Sequence, residues 1–76
     1  MKIEVLGPGC PKCAGLEVHL RQALAELNKN AEIVKITDIN AMIDKGVIQT
    51  PALIIDNAIV SQGKLLSVEQ IKKLIP

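Results

Sequence analysis

The chain has 76 residues, a net charge of +1 and no aromatic residue, and 49% of its residues are apolar. This length allows one small domain over residues 1–76, with a core built from aliphatic side chains. Nucleic-acid binding has little support, because the chain has neither a basic run nor aromatic side chains that stack on bases. No apolar run reaches the roughly 20 residues that span a bilayer. Lys2 and Glu4 interrupt the apolar run that a signal peptide needs, so we expect a cytoplasmic protein. We also expect it to be a monomer.

The first predicted elements are a strand and a helix, separated by a short loop. Ile3 and Val5 share one face of a β-branched segment over residues 2–6, which Gly7-Pro8-Gly9 ends. A helix is predicted over residues 11–28. Its apolar residues recur at helical spacing: Leu16, Leu20, Ala23, Leu24 and Leu27.

A second strand and a short helix follow. The strand is predicted over residues 32–36, and a right-handed crossover through the first helix places it parallel to the first strand. The helix is predicted over residues 39–45, with Thr37 or Asp38 as its N-cap and Gly46 at its C-terminal end. Its apolar face contains Ile39, Met42 and Ile43.

A hairpin and a third helix complete the chain. The continuous apolar run over residues 52–55 predicts a strand covered on both faces, and Asp56-Asn57 is a plausible hairpin turn. An antiparallel strand is predicted over residues 58–61. Ser67 and Gln70 form a capping-box pattern for the last helix. Its predicted core-facing residues are Val68, Ile71, Leu74 and Ile75.

Both cysteines of the chain lie in Cys10-Pro11-Lys12-Cys13, where the first loop enters the helix. The unpaired N–H groups and the dipole at this helix end favour a thiolate at Cys10. Cys13 is one turn further along and continues the apolar stripe, so one sulfur is predicted to face outward and the other inward. A dithiol–disulfide cycle needs this combination of an exposed attacking thiol and a shielded resolving thiol.

The order of these elements, with Cys10-Pro11-Lys12-Cys13 after the first strand and Thr50-Pro51 before the third, resembles the thioredoxin fold. More closely, the chain resembles the small thioredoxin-like redox-active disulfide proteins of archaea and bacteria, which share its glycine-rich opening around the two cysteines. The resemblance implies an α/β fold with the order β-α-β-α-β-β-α, in which three helices flank a four-stranded mixed sheet. It also implies a redox-active disulfide between Cys10 and Cys13, with no cofactor and no metal.

The resemblance also implies roles for other residues. Pro51 is expected to be cis and to lie against the disulfide, turning the backbone of Thr50 toward an extended substrate chain. Glu4 occupies the position of a buried carboxylate that helps to move the proton of the inner cysteine, although strand alternation equally permits Glu4 to face solvent.

Three positions depart from the patterns of the larger families. Gly9 replaces the Trp that precedes the first cysteine of typical thioredoxins, and Lys12 replaces the Tyr of typical glutaredoxins. Residues 61–64 do not match the glutaredoxin Gly-Gly-x-Asp-Asp segment, which leaves glutathione binding open.

The leading functional interpretation is a thiol–disulfide oxidoreductase. Cys10 is the predicted nucleophile and Cys13 the resolving thiol, Thr50 and Pro51 form the substrate platform, and Pro11 and Lys12 tune the pair. The expected partners are a disulfide-containing protein and a reductase.

The alternative interpretation is a carrier of Cu(I) or As(III) that uses the same two thiolates. The first loop also resembles the metal-binding loop of heavy-metal-associated domains, but those have the order β-α-β-β-α-β. A zinc site needs about four ligands. His19 is the only further side chain that offers an imidazole or thiolate ligand, and we expect it to be solvated. We expect Met42 to be core filler rather than a soft metal ligand.

Overall fold

A computed structural model describes residues 1–9 and 11–76, and Cys10 lies outside the described residues. The helices and strands are β1 (Lys2–Leu6), α1 (Pro11–Glu26), β2 (Glu32–Ile36), α2 (Ile39–Asp44), β3 (Ala52–Ile55), β4 (Ala58–Gln62) and α3 (Val68–Leu74). This is the predicted order of elements. The boundaries differ at three places, because α1 ends at Glu26, α2 ends at Asp44 and β4 continues to Gln62.

The strands form one mixed sheet in the order β2-β1-β3-β4. β1 is parallel to β2, as predicted, and it is antiparallel to β3. β3 and β4 are antiparallel, and their turn contains Asp56 and Asn57 with φ of 47° and 70°. Positive φ at both central residues is typical of the tight hairpin turn that matches strand twist.

A bulge shifts the pairing of β4 with β3. Leu53 is opposite Ser61 and Ile54 is opposite Ile59, so Val60 is the extra residue on β4. Beyond the bulge, Gln62 lies opposite Ala52, beside the entrance to β3. The end of β4 is therefore adjacent to the predicted substrate platform.

Apolar side chains cover both faces of the sheet. On one face, α1 and α3 pack against β1 and β3 through a cluster that includes Ile3, Val5, Leu16, Leu20, Leu53, Ile55 and Ile71. On the other face, α2 and the following loop supply Met42 and Val47 to a smaller cluster that includes Leu6, Ala52 and Ile54. The predicted arrangement of three helices flanking a four-stranded sheet is confirmed.

The end of α1 is set by Asn28, which has a φ of 54°. Its N–H donates to the Ala25 carbonyl at 3.1 Å, and the Lys29 N–H donates to the Leu24 carbonyl at 3.0 Å. These two bonds form a Schellman motif, which satisfies carbonyls that the helix leaves unpaired. The helix therefore stops two residues before the predicted boundary.

The other predicted caps are also present. Asp38 accepts a hydrogen bond from the Asn40 N–H at the start of α2, and Gly46, with a φ of 82°, follows its end. Ser67 and Gln70 form the predicted capping box at the start of α3.

Two predicted apolar faces are less buried than their periodicity suggested. Met42 is buried, but Ile39 and Ile43 are each 63% exposed, because the six-residue α2 contributes only one side chain of its stripe to the core. Ile71 in α3 and Ile75 directly after it are buried, but Leu74 is 37% exposed beside β4, so its predicted core position is wrong.

Candidate active site

Cys13 lies in the first turn of α1 and is only 6% exposed. Its predicted inward orientation is confirmed. Pro11 begins the helix, where its missing N–H has no intrahelical acceptor, and Lys12 is exposed. The outward orientation of Cys10 stays a prediction, because Cys10 lies outside the described residues.

Gly7 makes room for the buried thiol. A Cβ atom added to Gly7 would overlap Cys13 Sγ and would lie 3.1 Å from Cys13 Cβ. The same Cβ would lie 3.9 Å from Pro51 Cα. Gly7, Cys13 and Pro51 therefore meet at one point, although the sequence places Pro51 more than 35 residues after Cys13.

Thr50 and Pro51 lead into β3. The peptide bond between them is cis, Pro51 is buried and Thr50 is exposed. The Pro51 carbonyl accepts a hydrogen bond of 2.8 Å from the Gly63 N–H, beyond the end of β4. The exposed Thr50 therefore directly precedes the residue that meets Gly7 and Cys13.

An apolar groove adjoins both the first loop and Thr50. It is lined by Pro8, Ile39, Met42, Ile43, Val47, Ile48 and Thr50. Ile39 and Ile43 are each 63% exposed and Ile48 is 87% exposed, so apolar surface that is normally covered faces solvent here. We refer to this set of residues as the apolar groove.

Cys13 also lines a cavity of about 140 Å³ on the α1 side of the sheet. Val5 and Gly7 form part of its floor, and Lys35 and Thr37 supply polar atoms. Lys35 Nζ lies 3.1 Å from a carboxylate oxygen of Glu17 on α1.

Glu17 is the ion-pair partner of Lys35, which lines this cavity. Hydrogen bonds from Lys35 and then Arg21 lower the pKa of the Glu17 carboxyl below its ordinary value. Glu17 therefore remains charged at neutral pH and links α1 to β2.

Glu4 is buried, with 1% of its surface exposed, so the alternative in which it faces solvent is wrong. Lys45 Nζ lies 2.9 Å from Glu4 Oε2, so the two side chains form an ion pair. The angles at this contact do not meet those of a hydrogen bond. Strand alternation places Glu4 with Leu6 on the sheet face covered by α2, whereas Cys13 lies with Val5 on the face covered by α1. A role of Glu4 in proton transfer stays a prediction.

His19 differs from its prediction. It is half-buried rather than solvated, and its Nδ1 lies 2.7 Å from the Leu66 carbonyl oxygen. Because a carbonyl only accepts, Nδ1 carries the proton in this contact. The loop before α3 folds over α1 at this point and covers the ring.

Among residues 1–9 and 11–76, no group of three or more His, Cys, Asp or Glu side chains is arranged to hold a metal ion. Within the same residues, no helix has the length and apolar character that crossing a lipid bilayer requires.

Comparison with known proteins agrees with this geometry. The family model of the thioredoxin domain matches residues 1–76. The chain belongs to the thioredoxin domain family. The predicted family and fold are thereby confirmed.

Two thioredoxin-family relatives are similar over most of their length. A protein named thioredoxin from Methanocaldococcus jannaschii is 45% identical over 71 residues, which cover 93% of this chain and 81% of the relative. A protein named thioredoxin from Methanothermobacter thermautotrophicus is 36% identical over 75 residues, which cover 99% and 97% of the two chains. These relatives support a redox function of the thioredoxin type.

Two residues around this thioredoxin-family site were not predicted to contribute to it. The sequence identifies Gly7 only as a residue that ends the first strand, and it carries no motif that points to Gln62. Gln62 Oε1 accepts hydrogen bonds from the N–H groups of Ile48 and Gln49, just before Thr50. No local sequence signal identifies either contact, because both join residues from different elements of the fold.

Proposed function

We propose that the protein is a thiol–disulfide oxidoreductase that reduces disulfides in proteins or small molecules through Cys10 and Cys13. The observation that carries this proposal is the position of Cys13. This thiol is buried in the first turn of α1, against Gly7 and beside Pro51. The proposal needs no cofactor beyond the two thiols themselves.

The reaction has two exchange steps. The Cys10 thiolate attacks one sulfur of the substrate disulfide, whose S–S bond breaks as a Cys10–substrate disulfide forms and the other substrate sulfur leaves as a thiolate. Cys13 then loses its proton and attacks Cys10 Sγ, releasing the second substrate thiolate and forming the Cys10–Cys13 disulfide. The substrate gains two electrons and the protein loses two, which a reductase must restore.

The sequence places Cys10 directly before α1, and Cys13 is buried within α1, which supports different roles for the two thiols. The N-terminal end of this 16-residue helix favours the thiolate form of Cys10, and the exposed cation of Lys12 adds to the effect. Burial of Cys13 favours its neutral thiol and shields it from external reagents. Pro11 fixes the first turn between them.

The platform supports a protein substrate as well as a small one. Thr50 is exposed and directly precedes Pro51, and we expect its backbone to pair with an extended segment that carries the disulfide. The apolar groove lies beside the same residue, and an apolar side chain of that segment would cover Ile43 and Ile48. We therefore expect the partner to be a disulfide-containing protein, with a separate reductase to complete the cycle.

Two serine variants test this division of labour. Cys13→Ser cannot resolve the mixed disulfide, so incubation with insulin or oxidised glutathione, followed by acid quenching and mass spectrometry, should show adducts that dithiothreitol removes. Cys10→Ser should form far fewer adducts, because Cys13 is shielded.

A metal carrier predicts a different result. Both serine variants would lose Cu(I) affinity to a similar degree, and neither would trap a disulfide partner. The observed fold does not favour this alternative, because α2 lies between β2 and β3, where heavy-metal-associated domains have a hairpin. Absence of an adduct with Cys13→Ser, or equal adducts with both variants, would contradict the proposed function.

A further inference from the structure

We propose that Gln62 is a positioning residue that holds the substrate platform in place through the loop before it. We call residues 47–51 the platform loop. Gln62 Oε1 accepts hydrogen bonds from the Ile48 N–H at 2.9 Å and from the Gln49 N–H at 3.3 Å. This inference rests on the proposed function, in which Thr50 pairs with the substrate.

The chemistry of the partners fixes the orientation of the amide. Both partners are backbone N–H groups, which only donate, so the atom that faces them must be the Gln62 carbonyl oxygen. The backbone of Gln62 is itself anchored, because it is the last residue of β4 and lies opposite Ala52 in the sheet. The acceptor therefore extends from a fixed strand toward a loop.

Gly63 strengthens the same attachment. Its N–H donates to the Pro51 carbonyl at 2.8 Å, and its φ is 72°. A Cβ atom at Gly63 would lie 2.5 Å from Gln49 Oε1 and 3.3 Å from Gln49 Cβ. Two consecutive residues thus make three hydrogen bonds to the platform loop, and the glycine leaves room for the Gln49 side chain.

Among residues 1–9 and 11–76, the middle of the platform loop has little other support. Val47 and Pro51 are buried at its two ends, but Ile48 is 87% exposed, and Gln49 and Thr50 are exposed. Apolar packing therefore fixes the ends and leaves the direction of the central peptide units to Gln62. Removing the Gln62 acceptor lets those peptide units rotate and become hydrated. This change costs little stability, but the Thr50 backbone then no longer has a fixed direction. A substrate that pairs with that backbone must then order the loop as it binds.

A matched pair of variants separates positioning from folding. Gln62→Met keeps the length of the side chain and removes the acceptor, whereas Gln62→Glu keeps an oxygen acceptor at the same reach. The measurements are amide hydrogen exchange at Ile48 and Gln49 and the kinetics of insulin reduction, with dithiothreitol as the electron source. For Gln62→Met we expect faster exchange at both amides and a KM about fivefold higher, with a smaller change in kcat. Gln62→Glu should have the wild-type exchange rates at both amides and the wild-type KM.

Gln22→Met is the control for the loss of a glutamine hydrogen bond. Gln22 lies on the exposed surface of α1 and donates to Glu26 at 3.0 Å, away from the platform loop. The Gln22→Met variant should leave the KM for insulin and the exchange rates of the Ile48 and Gln49 amides unchanged. The inference is overturned if Gln62→Met keeps the wild-type KM, or if Gln62→Glu has a KM as high as the one expected for Gln62→Met. If wild-type protein fails to reduce insulin, the proposed function fails, whereas amide exchange alone still decides whether Gln62 holds the loop.

Discussion

Gly7 and Cys13 are packed so closely that a single methyl group on Gly7 would overlap the buried sulfur. Gly7 directly follows β1 and continues its pairing with β2, because its N–H donates to the Ile36 carbonyl at 2.9 Å. Its backbone is therefore fixed by the sheet, and a larger residue could not move aside. The glycine is needed here for space.

We expect Gly7→Ala to lower the free energy of unfolding by about 1–3 kcal/mol, the usual cost of overpacking a rigid site. Gly15→Ala is the control. Its Cβ would lie 3.2 Å from Leu65 Cδ1, the end of a flexible side chain, and alanine is favoured in helices by up to about 1 kcal/mol. Urea denaturation monitored by circular dichroism measures both variants. Equal stability of Gly7→Ala and wild type would contradict the tight packing described here.

The two thiols should differ in their reaction with iodoacetamide at neutral pH. Cys13 is 6% exposed, so its alkylation requires local opening, whereas Cys10 is predicted to be an accessible thiolate. Mass spectrometry of the reduced protein at short times should therefore find the label on Cys10. Denaturation in urea is the control, since it should bring the two rates close together. Equal rates in the native protein, or faster labelling of Cys13, would reverse the proposed roles.

The sequence predicted the features that depend on local chemistry. The capping box of Ser67 and Gln70 and the positive-φ turn at Asp56-Asn57 are written in neighbouring residues, and both are present. The burial of Cys13 followed from its place on the helical stripe. These predictions succeeded because each depends on a few consecutive residues or on one periodicity.

The remaining features depend on contacts across the fold. Gln62 bonds to N–H groups 13 and 14 residues away, and no spacing rule identifies those partners. The stripe of α2 indicates which side chains share a face but not whether another element covers them, so the exposure of Ile39 and Ile43 was missed. For His19, the covering loop comes from 47 residues further along the chain.

The Glu4–Lys45 ion pair should show a strong asymmetry between its partners. The Glu4 side chain is 2% exposed and the Lys45 side chain is 36% exposed, with 2.9 Å between Nζ and Oε2. Lys45→Met leaves a buried carboxylate without its cation and should destabilise the fold by roughly 2–4 kcal/mol at pH 7. Glu4→Gln leaves a lysine that water can still solvate, so it should cost less.

The double variant Glu4→Gln with Lys45→Met completes a thermodynamic cycle for this pair. Because the substitution at Glu4 removes the isolated charge, the double variant should be more stable than Lys45→Met alone. Chemical denaturation of all four proteins gives the coupling energy. A Lys45→Met variant no less stable than Glu4→Gln would show that the ion pair does not compensate the burial of Glu4.

Glu17 should contribute a pH-dependent part of the stability. Hydrogen bonds from Lys35 and Arg21 lower its pKa in the folded protein below the ordinary value of 4.5. The contribution is therefore fully present above pH 4.5 and is lost as the pH falls through the lower, folded value. Since Lys35 and Arg21 are largely exposed, we expect Glu17→Gln to cost only about 0.5 kcal/mol at pH 7.

Thermal unfolding of Glu17→Gln and wild type at pH 7 and pH 3 measures this contribution. The difference between the two proteins should shrink at pH 3 and also in high salt, which screens exposed charges. Glu32→Gln is a suitable control, since Glu32 is exposed and has no ion pair among residues 1–9 and 11–76. A difference that grows as the pH falls would contradict the sign of the effect.

The apolar groove should contribute to binding of protein substrates. Ile43 is 63% exposed in the groove, and Val18 on α1 is 61% exposed outside it, so the two residues form a matched pair. Neither Ile43→Ser nor Val18→Ser removes a buried side chain, and both should have small effects on stability. Because only the exposed 63% of Ile43 can be newly covered, burial of this side chain by a substrate should stabilise the complex by roughly 1–1.5 kcal/mol. We therefore expect Ile43→Ser to raise the KM for insulin about fivefold to tenfold, while Val18→Ser leaves it unchanged. Equal KM values for the two variants would exclude the groove from substrate binding, even if both proteins reduce insulin.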